Sequence, residues 1–381
     1  MKAIVIRAAK DFVVEDVPEP VLQPDEVMLR PLYTGICFTD KHAYEGAPGV
    51  PIRPGTVIFA PGAILGHEWT GQVVEIGTEV DKVKIGDRMA VYGSDGCGQC
   101  FGCRNGWSCQ TGYRVGHRLA PDWGRGCAEL CAVAESSCYS LPDSISDVQS
   151  GFIEPAGIAT RAVRNSGITI GDNVAILGVE DYGMAVFFWT RLFAGKILVA
   201  DPSPARRAMV EAVGGAEDII DPTVDDPVAR AKQLMGLGAD VVFIANEDYV
   251  PRSYQYLRDA IRIARPGGTV VTVRHEGREE LPAPISMWSG ESAFTKELKV
   301  LGFGHWYGNE PGIGGRARGD YQRTIDAFAT RQFLTSDWKP TVIDFADITS
   351  KSDVDDMFAL LPDQAAKILI RVSGQEPAVH G

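Results

Sequence analysis

Four cysteines crowd into thirteen residues of this chain: Cys97, Cys100, Cys103 and Cys109, in CGQCFGCRNGWSC. Thiolates with two-residue spacers reach a single coordination sphere, and zinc favours four such soft tetrahedral donors. The interleaved Gly98, Gly102 and Gly106 allow the tight turns this requires. A structural zinc lobe is the expectation, set against free or redox-active thiols. A zinc finger for nucleic acid is disfavoured, because no His pair follows and the flanks carry little positive charge. A second constellation spans two loops. GICFTDKHAYEG supplies Cys37, Thr39, Asp40 and His42, and GHEWTG supplies His67 and Glu68. One thiolate, one imidazole and a carboxylate can hold zinc while leaving a position open to a substrate oxygen. Zinc would there act as a Lewis acid on an alcohol, so that the alkoxide can expel hydride. Residue types alone leave two plainer readings open: a core Cys37, and a surface turn at His67-Glu68.

A nucleotide loop is the third feature. Gly178-Val179-Glu180-Asp181-Tyr182-Gly183 lies between the apolar NVAILG and the helical MAVFFWTRLFAG, where a G-x-G-x-x-G fingerprint belongs. Asp201 ends the next strand, 23 residues after Gly178. A carboxylate there accepts hydrogen bonds from the adenosine ribose and repels a 2′-phosphate, which points to NAD. Arg206 and Arg207 follow closely and offer charge that offsets it. The middle glycine, where backbone normally meets the pyrophosphate, is Glu180. At ~5 Å and an effective dielectric of ~20, a bare carboxylate repels one phosphate charge by roughly 3 kcal/mol. Weak NADH binding is the expectation, unless the Glu180 side chain turns outward. A strand-end glycine in a non-nucleotide sheet is the plainer reading of the loop.

These residues need a scaffold. Residues 1–155 read as short strands with Gly and Pro between them: KAIVIR, FVVEDV, EVMLRPLY, GQVVEIG and DRMAVYG. Cys127, Cys131 and Cys138 fall in strand-like sequence as apolar fillers. From about residue 157 strands alternate with helices: NVAILG, KILVAD, EDIID, ADVVFIA, GGTVVTV and ELKVLGFG are separated by helical runs. That alternation predicts right-handed βαβ units and a doubly wound parallel sheet. After about residue 305 it stops, a helix is predicted over Asp320–Thr330, and short strands return.

Composition narrows the function classes. The 381 residues suggest two domains, or one with a large insertion, and 45% hydrophobic with 23% charged residues excludes disorder as the main state. A net charge of −13 gives the wrong Coulomb sign for nucleic acid or anionic membrane. No apolar run has membrane-spanning length. The start, MKAIVIRAAK, lacks the pattern of a secretory signal, so a cytoplasmic location is expected.

Taken together, GICFTD, GHEWTGQVVEIG, KIGDRMAVYG, the cysteine lobe, IEPAGIATRAV, the nucleotide loop and AAKILIRV resemble the zinc-dependent medium-chain dehydrogenase/reductases, in particular the sorbitol, threonine and glucose dehydrogenase-like branch. The resemblance covers nearly the whole chain. It implies an α/β protein with a GroES-like β-rich catalytic domain (residues 1–156 and 305–381) around an inserted Rossmann domain (157–304), and an active site in the cleft between them. It implies that Cys37, His67 and Glu154 ligate a catalytic zinc and that Asp40 orients His67. Glu68 matches a carboxylate that supports the metal or alternates as its ligand, and Thr39 with His42 matches a proton relay. Gly178 to Gly183, Asp201 and Arg206 would bind NAD, with Arg274 and His275 beside the nicotinamide. The implied reaction moves hydride between NAD(H) and a secondary or polyhydroxylated alcohol or its ketone, in a homodimer or homotetramer.

The departures from the family pattern are specific. Five residues separate Cys103 from Cys109 where seven are usual, and the segment between Cys37 and His67 is several residues longer than is typical. Arg274 and His275 stand where small or aliphatic residues are usual. With Glu180, these keep an alternative open: lyase- or isomerase-type chemistry, or a retained nucleotide, on the same fold. A zinc-stabilised binding protein is a third reading, against which the Cys37, His67 and Glu154 set argues. Trp69, Trp123, Trp288, Trp306 and Tyr44 are candidates for an apolar substrate pocket or for core.

Overall fold

Beginning at the amino terminus, KAIVIRA and DFVVED form the antiparallel hairpin β1 (Lys2–Ala8) and β2 (Asp11–Asp16). The computed structural model describes residues 1–46, 59–92, 126–245, 253–273, 292–302, 319–330, 333, 338, 340–360 and 367–374. Next come β3 (Glu26–Ile36), β4 (Glu68–Ile76), β5 (Arg88–Val91), β6 (Cys131–Ala134) and β7 (Cys138–Ser140). Every residue of β3 except Arg30 is buried. It lies inside its sheet, bonded to β4 on one edge and to β6 on the other. Pro31 cannot donate to a ladder, and the β3–β4 register slips between Pro31 and Tyr33.

The parallel sheet follows: β8 (Val174–Leu177), β9 (Ile197–Ala200), β10 (Asp218–Ile220), β11 (Ala239–Ile244), β12 (Ala264–Thr272) and β13 (Lys299–Gly302). Their spatial order is β10-β9-β8-β11-β12-β13, the doubly wound arrangement of dinucleotide-binding domains. VAIL and ILVA are buried along their whole length, as strands covered by helices on both faces must be. The chain ends with β14 (Thr341–Asp344) and β15 (Ile368–Arg371), which complete the seven-stranded sheet β14-β15-β3-β4-β5-β7, with β6 also on β3. Ile368 lies opposite Ile36, so Lys367 stands beside the carboxyl end of β3.

Two compact units result: Met1–Glu154 with Trp306–Ala329 and Pro340–Gly381, and Pro155–His305 with Thr330–Lys339. The predicted strands are formed in order, and the late helix runs Asp320–Ala329. Phe333 and Trp338 pack on Phe188 at ring distances of 5.4 and 5.6 Å, which ties residues 330–339 to the parallel-sheet unit. In the other unit Phe12, Tyr44 and Phe358 form an aromatic cluster, and Trp69 packs with Val27, Leu29, Met89, Cys131 and Cys138. Trp69 and Tyr44 therefore serve the core; Trp123, Trp288 and Trp306 lie outside the described residues. Cys127, Cys131 and Cys138 are buried, as the apolar reading expects. No helix among the described residues is long and apolar enough to cross a membrane.

Candidate metal centre and nucleotide loop

Cys37 ends the extended run of β3 and caps the helix Phe38–Glu45. Its Sγ accepts the Thr39 N–H at 3.4 Å, while Asp40 Oδ2 accepts the Cys37 N–H at 2.9 Å, a capping box with a thiol in the Ser position. The second Asp40 oxygen lies 3.2 Å from His67 Nδ1. One fully buried carboxylate therefore fixes the Cys37 backbone and the ring of His67, and it leaves Nε2 of that ring for a metal. Burial works against a charged His67, but Asp40 and then Cys37 outweigh it, so the imidazole pKa lies well above its ordinary value.

Glu68 opens β4, immediately after His67. Donor atoms of Cys37, His67 and Glu68 all lie within 4.8 Å of one another. Sulfur, imidazole nitrogen and carboxylate oxygen form a donor set that suits zinc and leaves room for a further ligand. Glu154 stands outside this triplet, in the first turn of the helix Ile153–Asn165. It lies close enough to act on the phenol of the buried Tyr321, whose pKa is raised well above normal by burial first and Glu154 next, with smaller contributions from Tyr139, Tyr92 and Glu68. Thr39 Oγ1 is 3.2 Å from Cys37 Sγ, and His42 is buried one turn along the same helix. Cys97, Cys100, Cys103 and Cys109, with Arg274 and His275, lie outside the described residues.

One participant escaped the sequence reading. Lys367 Nζ lies 2.6 Å from Glu68 Oε2, and both side chains are fully buried. The available signal was a lysine opening the apolar strand KILI, since a lysine committed to a core needs a countercharge. Gly35 makes the space for this pair: a Cβ there would stand 2.4 Å from Lys367 Cε and 2.6 Å from Glu68 Oε2. Gly35→Ala is expected to lose about 1–3 kcal/mol by overpacking, read as a shift of the urea midpoint.

The nucleotide loop is built as the fingerprint requires at both ends. Gly178 has φ +94°, and a Cβ on Gly183 would meet the Gly178 carbonyl at 2.0 Å, so the helix Asp181–Thr190 can sit only on a glycine. Asp181 and Tyr182 are buried in its first turn. The Asp201 carboxylate accepts N–H bonds from Val179 and Ser203, each at 2.8 Å. These features fit a dinucleotide: a close-packed strand–helix turn with a fixed carboxylate at the next strand end. Glu180 differs from the sequence expectation of a bare charge. Its Oε1 lies 2.5 Å from Arg206 Nη1, and both residues are buried. Its repulsion of a pyrophosphate is therefore largely cancelled by an adjacent guanidinium.

A β-rich unit with a Cys/His/Glu centre and a doubly wound unit with a glycine turn define a two-domain α/β, zinc-type dehydrogenase. Residues 23–143 match the alcohol dehydrogenase GroES-like domain, and residues 183–329 match the zinc-binding dehydrogenase domain. "Probable D-xylulose reductase A" of Aspergillus clavatus is 31% identical over 343 residues, covering 87% of each chain. "(R,R)-butanediol dehydrogenase" of Bacillus subtilis is 32% identical over 293 residues, 75% of this chain and 81% of its own. The crystal structure of 2R,3R-butanediol dehydrogenase from Bacillus subtilis superposes with a TM-score of 0.77 at 27% identity, over 98% of this chain and 99% of that one. The chain belongs to the zinc-dependent medium-chain dehydrogenase/reductase family. It is an alcohol dehydrogenase-like enzyme whose cofactors are zinc and a nicotinamide dinucleotide.

Proposed function

We propose that this enzyme transfers hydride between NAD(H) and a secondary or polyhydroxylated alcohol or its ketone. The observation that carries the reading is the convergence of Cys37, His67 and Glu68 beside the Thr39 hydroxyl. The names of the relatives, a xylulose reductase and butanediol dehydrogenases, support the substrate class. Bound zinc would lower the pKa of a substrate hydroxyl. Cys37 and His67 hold that ion, and either Glu68 or Glu154 completes its protein ligands. Asp40 keeps the His67 ring in one orientation. Thr39 would take the alcohol proton, and His42, on the same helix, would hand it on toward solvent. On the nucleotide side the turn Gly178 to Gly183 would hold the pyrophosphate and Asp201 the ribose; Arg274 and His275, outside the described residues, are assigned to the nicotinamide from the sequence alone.

Cys97, Cys100, Cys103 and Cys109 hold a second, structural zinc in this reading. The catalytic domain comprises residues 1–156 and 305–381, and the nucleotide domain residues 157–304. The protein acts in the cytoplasm as a homodimer or homotetramer; among the described residues β13 is an edge of its sheet, with Val300 half-exposed. No observation favours lyase or isomerase chemistry.

The test is NADH formation at 340 nm with a panel of vicinal diols, pentitols and hexitols. Turnover of at least one secondary alcohol, lost on chelation and restored by zinc, is expected. Reduction of NAD that persists in fully zinc-free protein would end the metal assignment.

A further inference from the structure

The loop around Glu180 holds an arrangement that the fingerprint does not require. Arg206 Nη1 lies 2.5 Å from Glu180 Oε1 and 3.9 Å from Asp201 Oδ1, so one guanidinium bridges two carboxylates. All three side chains are buried. Glu180 occupies the N-cap of the helix Asp181–Thr190 without capping it; its carboxylate is directed to Arg206 instead. Arg207, the other cation after the strand, donates to the Asp201 and Pro202 carbonyls and pairs with Asp221 at 3.1 Å.

We infer that Glu180 is a determinant of cofactor specificity: by neutralising Arg206 it denies a 2′-phosphate the cation it would need and so makes the enzyme select NAD over NADP. This rests on the dinucleotide reading proposed above. A ribose held at Asp201 places its 2′ position next to Arg206. With Glu180 ionised, two carboxylates face one guanidinium. A phosphate that recruits Arg206 competes with Glu180 for it and weakens a buried ion pair, which is costly. With Glu180 neutral, Arg206 and Asp201 balance, and the guanidinium can turn its fork to a phosphate. The simpler view, in which Asp201 alone sets the preference, gives Glu180 no part in it.

The test is calorimetric titration of wild type, Glu180→Gln and Glu180→Gln/Arg206→Gln with NADH and NADPH. Wild type should favour NADH by at least thirtyfold. The ratio of NADPH to NADH dissociation constants should fall at least tenfold in Glu180→Gln and return toward wild type in the double variant. A ratio unmoved by Glu180→Gln, or a gain that survives loss of Arg206, overturns the inference while leaving the dinucleotide reading intact. Wild type that binds neither dinucleotide overturns both. A second variant covers a Glu180→Gln that fails to fold: Glu180→Ser should lower the same ratio at least tenfold. A ratio unmoved in Glu180→Ser counts against the inference.

Discussion

Lys367→Met is expected to lower the stability of this enzyme by about 3–5 kcal/mol, the usual cost of removing one partner from a buried ion pair. Methionine keeps most of the length and apolar stem of lysine, so little packing is lost. What disappears is the ammonium 2.6 Å from Glu68, at a site with no exposure on either side chain. The Glu68 carboxylate would then stand in a dry interior beside Cys37 with less positive charge around it. Adding Glu68→Gln to the same chain should recover most of the loss, because the amide keeps the shape and discards the charge. Urea unfolding of wild type, both single variants and the double variant gives the coupling directly. A bound zinc ion adds positive charge next to Glu68, so the loss in Lys367→Met should be larger after chelation than before. A single variant within about 1 kcal/mol of wild type would show that the pair is not what holds Glu68.

The same pair marks where the sequence stopped being legible. GICFTD and GHEWTG contain Cys37, Asp40, His67 and Glu68, whose types suggested zinc chemistry but left plainer readings open until the family resemblance was added. Lys367 lies 299 positions after Glu68, and only the antiparallel pairing of β15 with β3 brings them together. Gly35 could not be singled out among 42 glycines, because its role is the space it leaves for two other side chains. The parallel sheet was the easiest part to read. Short apolar runs such as VAIL and ILVA alternate with amphipathic helices, and that pattern has few solutions. Glu180 was visible as an anomaly, but its consequence was not. A charge read in isolation repels phosphate, whereas the folded chain supplies Arg206 from 26 residues away. Local motifs report which groups are present; the partner that sets the energy of each group comes from topology.

Cys37→Ser is expected to reduce turnover by on the order of 10³ or more while leaving the thermal midpoint within a few degrees of wild type. The activity term follows from the donor set: a neutral hydroxyl is a far weaker zinc donor than a thiolate, and the Lewis acid contributes several kcal/mol to the chemical step. The stability term follows from the cap. Cys37 acts as N-cap of Phe38–Glu45 through its Sγ, and serine is among the preferred residues at that position. Its hydroxyl can accept the Thr39 N–H, and Asp40 still receives the Cys37 backbone N–H and faces His67. The capping box and the Asp40–His67 contact therefore support the local fold independently of the Cys37 sulfur. Cys100→Ser should behave in the opposite way. If Cys97, Cys100, Cys103 and Cys109 hold the second zinc proposed above, that variant should lose zinc and lose stability or solubility together. Zinc content, thermal midpoint and turnover measured on the two variants separate the roles. An unfolded Cys37→Ser, or a stable Cys100→Ser with full metal content, would reverse the assignment of the two sites.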